Sequence, residues 1–114
     1  MKIKEKKMEN EIISFSHSGS TLTAYIRCEI DHHTASRLRS RIDRELFVTR
    51  PQILRLVFRE VRFMDSSGIA LILGRVESAG AVGARVQLEG LTPTLLKLVR
   101  LSGIERIKNL TVSL

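Results

Sequence analysis

The run Asp65-Ser66-Ser67-Gly68 sets a carboxylate and two hydroxyls between apolar Phe63-Met64 and a helix-patterned stretch that opens at Ile69. At a helix N-terminus the first N–H groups lack intrahelical partners and the dipole is positive, so a serine there tolerates an added phosphate. The same residues also serve as ordinary caps, with Asp65 or Ser66 accepting those N–H groups and nothing further happening. On the residues alone both readings stand. Ile69 and Leu71, just downstream, read either as core residues or as an exposed patch facing a partner beside Ser66.

A second polar cluster, Glu29-Ile30-Asp31-His32-His33-Thr34-Ala35, precedes another helical pattern, with Asp31 or Thr34 as its candidate cap. Cys28, Asp31, His32 and His33 carry metal-donor atoms. A zinc site needs four suitably spaced ligands, and no second Cys or His cluster completes the set, so neither metal nor cofactor is expected. Ser66, a histidine and Asp65 could be assembled into a hydrolase triad on paper. The Gly-x-Ser-x-Gly elbow is absent, and the expectation is a binding module, not an enzyme.

These clusters must be positioned by the elements around them. Ile12-Ile13-Ser14-Phe15 reads as a short strand and Ser18-Gly19-Ser20 as a turn. Leu22, Ala24, Ile26 and Cys28 then alternate with Thr21, Thr23, Tyr25 and Arg27, the period of a strand with one buried face. The two segments predict a hairpin. From Ala35 the apolar residues Leu38, Ile42 and Leu46 recur at helical spacing, and Pro51 closes that helix. The apolar run over 53–58 predicts a strand buried on both faces between helices. A helix over 69–78 would carry Ile69, Ile72, Leu73 and Val76 on one face, and 85–89 alternates as a strand. Thr92 and Pro93 open a third helix bearing Leu95, Leu98, Val99 and Leu101, which Gly103 ends. A last strand is read through 107–112. The order β-β-α-β-α-β-α-β predicts an α/β fold with a mixed, largely parallel sheet and helices packed on it.

The chain has 114 residues, enough for one domain, with 43% hydrophobic and only 4% aromatic residues, so Leu, Ile and Val must build the core. We divide it into a flexible basic tail, 1–10, and a folded domain, 11–114. No apolar run is long enough to span a membrane, and no signal-peptide pattern follows the charged N-terminus. The single cysteine, Cys28, suits a reducing compartment, and a cytoplasmic protein is expected. The net charge of +7 raises the question of nucleic acid. The basic residues are scattered, at Arg37, Arg39, Arg41 and Arg44 on one helix and singly at Arg55, Arg62, Arg75, Arg85 and Lys97, without aromatics to stack bases. They read as solvated surface, with neither nucleic acid nor membrane as partner.

Met64-Asp65-Ser66-Ser67-Gly68, followed by an apolar helix running to Leu73-Gly74-Arg75, resembles the signature of STAS-domain anti-sigma-factor antagonists. Glu29-Ile30-Asp31-His32-His33-Thr34-Ala35 resembles that family's other landmark, where the second strand meets the first helix. The two motifs lie closest to the family's sporulation members, and the similarity runs from about Ile12 to about Ile107. The resemblance implies a single STAS domain. It implies that an anti-sigma factor, itself an ATP-dependent serine kinase, binds the unphosphorylated protein and so frees a sigma factor to regulate transcription. Phosphorylation on the serine after the motif aspartate, here Ser66, would switch the protein off, and a serine phosphatase would restore it. Asp31, Asp65, Ser67, Gly68 and Leu71 would then belong to the partner-binding surface.

Three departures from the family pattern stand out. Cys28 replaces a usual glycine, relatives often continue past the equivalent of Leu114 into a final helix, and the strong basic charge is foreign to the family. A second reading of the same resemblance is a STAS regulator in a stressosome-like, transporter-linked or anion-sensing assembly. The free-standing length and lack of spanning segments weigh against a transporter.

Overall fold

A computed structural model describes residues 11–113, so the N-terminal segment expected to be a flexible tail lies outside the described residues. Strands β1 (Ile13–Ser18) and β2 (Thr21–Ile26) form the hairpin, pairing antiparallel around Gly19. Helix α1 (His32–Thr49) leads to β3 (Ile53–Val57), α2 (Ser66–Ala81) to β4 (Arg85–Glu89), and α3 (Pro93–Ser102) to β5 (Leu110–Ser113). The sheet order is β1-β2-β3-β4-β5, parallel from β2 onward. The element order and mixed, largely parallel sheet agree with the sequence reading.

Register explains the layering. Ile13 faces Ile26, Ala24 faces Leu56, Leu22 faces Leu54, and the row continues through Val86 to Leu110. Because side chains alternate along each strand, these residues share one face, and all of them are buried. Leu38, Ile42 and Leu46 of α1, Ile72 and Val76 of α2, and Leu95 and Val99 of α3 join the same core.

The other face is polar, which corrects the expectation that β3 is buried on both sides. Thr23, Arg55, Gln87 and Thr111 form a cross-strand row there. Arg55 is only half-buried, donates to Glu89 Oε1 and reaches Thr23 Oγ1 at 3.5 Å. Arg55 sits within the apolar run of 53–58 and opens this face part-way to water, although Val57 on the same face is buried.

Helix boundaries shift in ways that matter for the site. β2 ends at Ile26, leaving Cys28 half-buried beyond it, where burial pushes the thiol pKa up. α1 closes on Arg50, whose backbone is left-handed with φ 45° and whose N–H donates to Leu46 O, and Pro51 follows. α2 begins at Ser66, one turn before the apolar pattern announced it. Its buried side is Leu71, Ile72, Arg75, Val76 and Ala79, while Leu73, expected to point inward, is exposed. On α3, Thr92 caps with Pro93 in the first turn, as read, but Leu101 is 77% exposed instead of packed. The last strand starts at Leu110, because a short 3₁₀ turn, Ile104–Arg106, occupies the approach.

Candidate functional site

The two motifs meet at the end of the sheet where the parallel strands finish. Ile30 and Met64 form an isolated parallel bridge. Ile30 N–H donates to Phe63 O at 3.0 Å, and Asp65 N–H donates to Ile30 O at 3.1 Å. The residues immediately after the bridge, Asp31 and Asp65, are therefore neighbours, and each caps a helix. In an α/β sheet such a crevice beyond the carboxyl ends of the strands is where ligands and partners meet the fold.

Asp31, and not Thr34, is the cap of α1. Its Oδ1 accepts from His33 N–H at 2.8 Å and from Thr34 N–H at 3.0 Å. Thr34 completes a capping box by accepting from Asp31 N–H at 3.0 Å while donating to Glu29 O at 2.8 Å. The Thr34 N–H bond is the main reason the Asp31 carboxyl sits below its ordinary value of 3.8. A fixed negative charge stands at this corner. His32 and His33 are exposed helix-entry residues in edge contact with each other, and no metal-binding group of three His, Cys, Asp or Glu occurs among the described residues.

Asp65 caps α2 by accepting from Ser67 N–H at 2.8 Å. That division of labour leaves Ser66 with no capping duty. Ser66 is the first residue of the helix, is exposed, and its hydroxyl has no hydrogen-bond partner among the described residues. Ser67 is half-buried. It lines a groove of about 330 Å³ between α1 and α2 with His32, Ala35, Ser36, Arg39, Ala70 and Leu71. Ser66 borders a second groove of about 450 Å³ between α2 and α3, walled by Ile69, Leu73, Leu98 and Leu101. The hydroxyl stands beside two grooves, one of mixed lining and one apolar.

Gly68 is where close packing is needed. It is buried, and a Cβ there would collide with Met64 Cγ and Sδ. Gly68→Ala should cost about 1–2 kcal/mol by overpacking, moderated because Met64 can shift. Urea denaturation reads the loss, and unchanged stability would show that Met64 moves away freely.

Of the two readings of Leu71, core residue or exposed partner-facing patch, the structure favours the core, since only 4% of it is accessible. α2 turns Leu71 toward α1, so the exposed apolar residues near Ser66 are instead Leu73 and Leu101, with Phe63 on the loop before. Arg75 also departs from the reading as a solvated cation. It is 4% exposed and its Nε lies 3.0 Å from Asp43 Oδ1 on α1. Sequence reasoning missed this link between the helices. The i, i+4, i+8 spacing of Ser67, Leu71 and Arg75 could have suggested it, since it puts all three on one stripe of α2.

The STAS domain family model matches residues 13–114, nearly the whole described chain. The chain belongs to the STAS domain family. Relatives of this STAS domain include an anti-sigma F factor antagonist of Paenibacillus polymyxa, 28% identical over 95 residues covering 83% of this chain and 81% of that one. A second, from Lysinibacillus sphaericus, is 34% identical over 76 residues, 67% of this chain and 65% of the relative. Among solved structures, the anti-sigma factor antagonist SpoIIAA in its unphosphorylated form superimposes with a TM-score of 0.74 at 27% identity, covering 90% of this chain and 88% of that one. The phosphorylated form of Bacillus SpoIIAA gives 0.67, also at 27% identity and with 90% and 91% covered. The single-domain, SpoIIAA-like STAS fold expected from the two motifs is thus the fold present.

Proposed function

We propose that this STAS domain is an anti-sigma factor antagonist whose binding is switched by phosphorylation of Ser66. Unphosphorylated, it docks on an anti-sigma factor that is an ATP-dependent serine kinase, and the sigma factor held there is released. Phosphate on Ser66 ends the association, and a serine phosphatase restores it. The protein acts as a binding module in the cytoplasm, regulating transcription, with sporulation as the setting the motif resemblance implies. The observation that carries this reading is the free, exposed Ser66 hydroxyl at the first position of α2, with Asp65 already serving as cap. Two further features support it. The relatives bear the name anti-sigma F factor antagonist, and SpoIIAA exists in phosphorylated and unphosphorylated forms.

The chemistry at the site is consistent. A kinase needs a hydroxyl it can approach in line, and an exposed position beside two grooves offers that while the grooves hold the partner. Phosphate adds about −1.5 to −2 charge at neutral pH. The helix N-terminus stabilises that charge in the free protein. The Asp31 and Asp65 carboxylates beside it repel it, so a partner covering the corner would trap three negative groups away from water.

Incubation with a host anti-sigma kinase and ATP, followed by phosphosite mapping, tests the assignment. We expect phosphate on Ser66 alone, and none on the Ser66→Ala protein with its melting transition intact. Phosphate on Ser67 or Thr34 would overturn it. The half-buried position of Ser67 and the occupied hydroxyl of Thr34 make both poorer acceptors.

A further inference from the structure

The function proposed for the Ser66 corner makes no use of the strong positive charge, and the structure gathers part of that charge elsewhere. Arg27, Arg41, Arg55, Arg59, Arg75 and Arg100 each have a carboxylate partner. Arg44, Arg50, Arg85 and Lys108 have none among the described residues, and all four are exposed. Arg44 lies in the last turns of α1 and Arg50 is its C-cap. Backbone bonds bring the others to the same end. Gln52 N–H donates to Ser20 O, Arg85 N–H to Gln52 O, and Val86 N–H to Asn109 O, a line across the starting ends of the parallel strands. Acidic residues lie close along the chain, with Asp43 and Glu45 flanking Arg44, Glu89 four residues past Arg85 and Glu105 three before Lys108, but Asp43, Glu89 and Glu105 are engaged by Arg75, by Arg55 and Arg59, and by Arg100.

Two large apolar side chains protrude from the same end. Phe47 is 50% exposed and Val48 75% exposed, between Arg44 and Arg50 in the sequence. Single exposed apolar residues are ordinary on protein surfaces. An adjacent Phe-Val pair at a helix end, flanked by unpaired arginines, is a different pattern. It matches the interfacial arrangement in which apolar groups enter the acyl boundary and arginines hold lipid phosphates.

We propose that this basic end of the domain docks reversibly on an anionic lipid surface, with Phe47 and Val48 inserted and Arg44, Arg50, Arg85 and Lys108 against the headgroups. The net charge of +7 adds long-range attraction to such a surface. A nucleic acid would satisfy the charges as well but does not call for apolar residues protruding from a helix tip, and an acidic protein groove is separated from a lipid surface by the vesicle experiment below. α1 rises about 1.5 Å per residue, so the 16 residue steps from Asp31 to Phe47 separate the two ends by roughly 24 Å. Ser66 would face away from the lipid, open to its partner. This reverses the sequence expectation of no membrane partner, in the form of peripheral attachment. No helix among the described residues is long and apolar enough to cross a membrane.

Sedimentation of the full chain with phosphatidylcholine vesicles, with and without about one-third phosphatidylglycerol, provides the test. The protein should pellet with the anionic vesicles only, and less as salt is raised. Arg44→Gln with Arg85→Gln should weaken partitioning at least about tenfold. Arg37→Gln with Arg62→Gln, which removes the same charge from exposed, unpaired residues nearer the other end, should change it little. Phe47→Ser should lower the fraction that stays bound at high salt. All these positions are exposed, and melting curves check that the variants fold. Equal losses from the two arginine pairs would overturn the proposal. So would failure to bind anionic vesicles, or tight duplex DNA binding that persists at physiological salt without vesicle binding.

Discussion

Ser66→Asp should weaken binding to the anti-sigma partner by roughly 30- to 5000-fold while the melting transition stays within a few degrees of wild type. The range follows from truncating or adding a charge in a buried interface, about 2–5 kcal/mol. Phosphorylated protein should go further, toward the roughly 10⁴-fold difference that inverts a two-state choice. Aspartate carries less charge than phosphate and lacks its tetrahedral oxygens, so an incomplete mimic is the expected result. Stability should be spared for a structural reason. Ser66 is exposed and makes no hydrogen bond among the described residues, so replacing it breaks nothing. A carboxylate at the first turn interacts favourably with the helix dipole. Titration calorimetry gives the affinity. Amide chemical shifts of the phosphorylated protein give the extent of the change, expected near Asp31, Asp65 and Ser66 and in the walls of the two grooves. Shifts spread through β3 and β4, or a melting point many degrees lower, would mean that the switch works through the fold.

Much of this was legible before the structure. The alternation of Leu22, Ala24 and Ile26 and the helical spacing of Leu38, Ile42 and Leu46 each report one buried face, and those faces are the buried ones. Thr92-Pro93 and Gly103 are local chemistry, so they read correctly as a start and a stop. Other features depended on what lies across space. Nothing in the sequence near Asp65 says which of Asp65, Ser66 and Ser67 caps the helix. The bridge from Ile30 to Met64 holds the loop so that Asp65 takes that role, and only then is the Ser66 hydroxyl released. Leu71 and Leu73 look alike by type. The side they face was decided by where α1 lies, and α2 is apolar over too much of its surface for a pattern to choose.

Asp43→Ala should cost about 3 kcal/mol, and more than Arg75→Met, even though both remove the same ion pair. Arg75 is almost wholly buried, and burial is the first cause of its lowered pKa, opposed by the nearby Asp43 carboxylate. The contact is not well aligned. Arg75 Nε lies 3.0 Å from Asp43 Oδ1 yet makes no hydrogen bond, Nη1 has no partner either, and Nη2 reaches Ser78 Oγ only at 3.5 Å. Removing Asp43 leaves a buried guanidinium without compensation, the costly way to break such a pair. The estimate sits at the low end of the usual range because Asp43 is itself a quarter exposed, so water can reach its side of the gap. Replacing Arg75 by methionine removes the buried charge and keeps apolar volume between the helices, which is often neutral or stabilising. The double variant should therefore resemble Arg75→Met alone, and urea denaturation of all four proteins completes the cycle. Equal losses from the two single variants would show that the pair matters for its attraction and not for its burial. The pair ties α2 to α1, the two helices whose N-termini carry Ser66 and Asp31. Asp43→Ala should accordingly also loosen the corner, seen as faster amide exchange at Thr34 and Ser67 while the Arg75→Met protein stays protected.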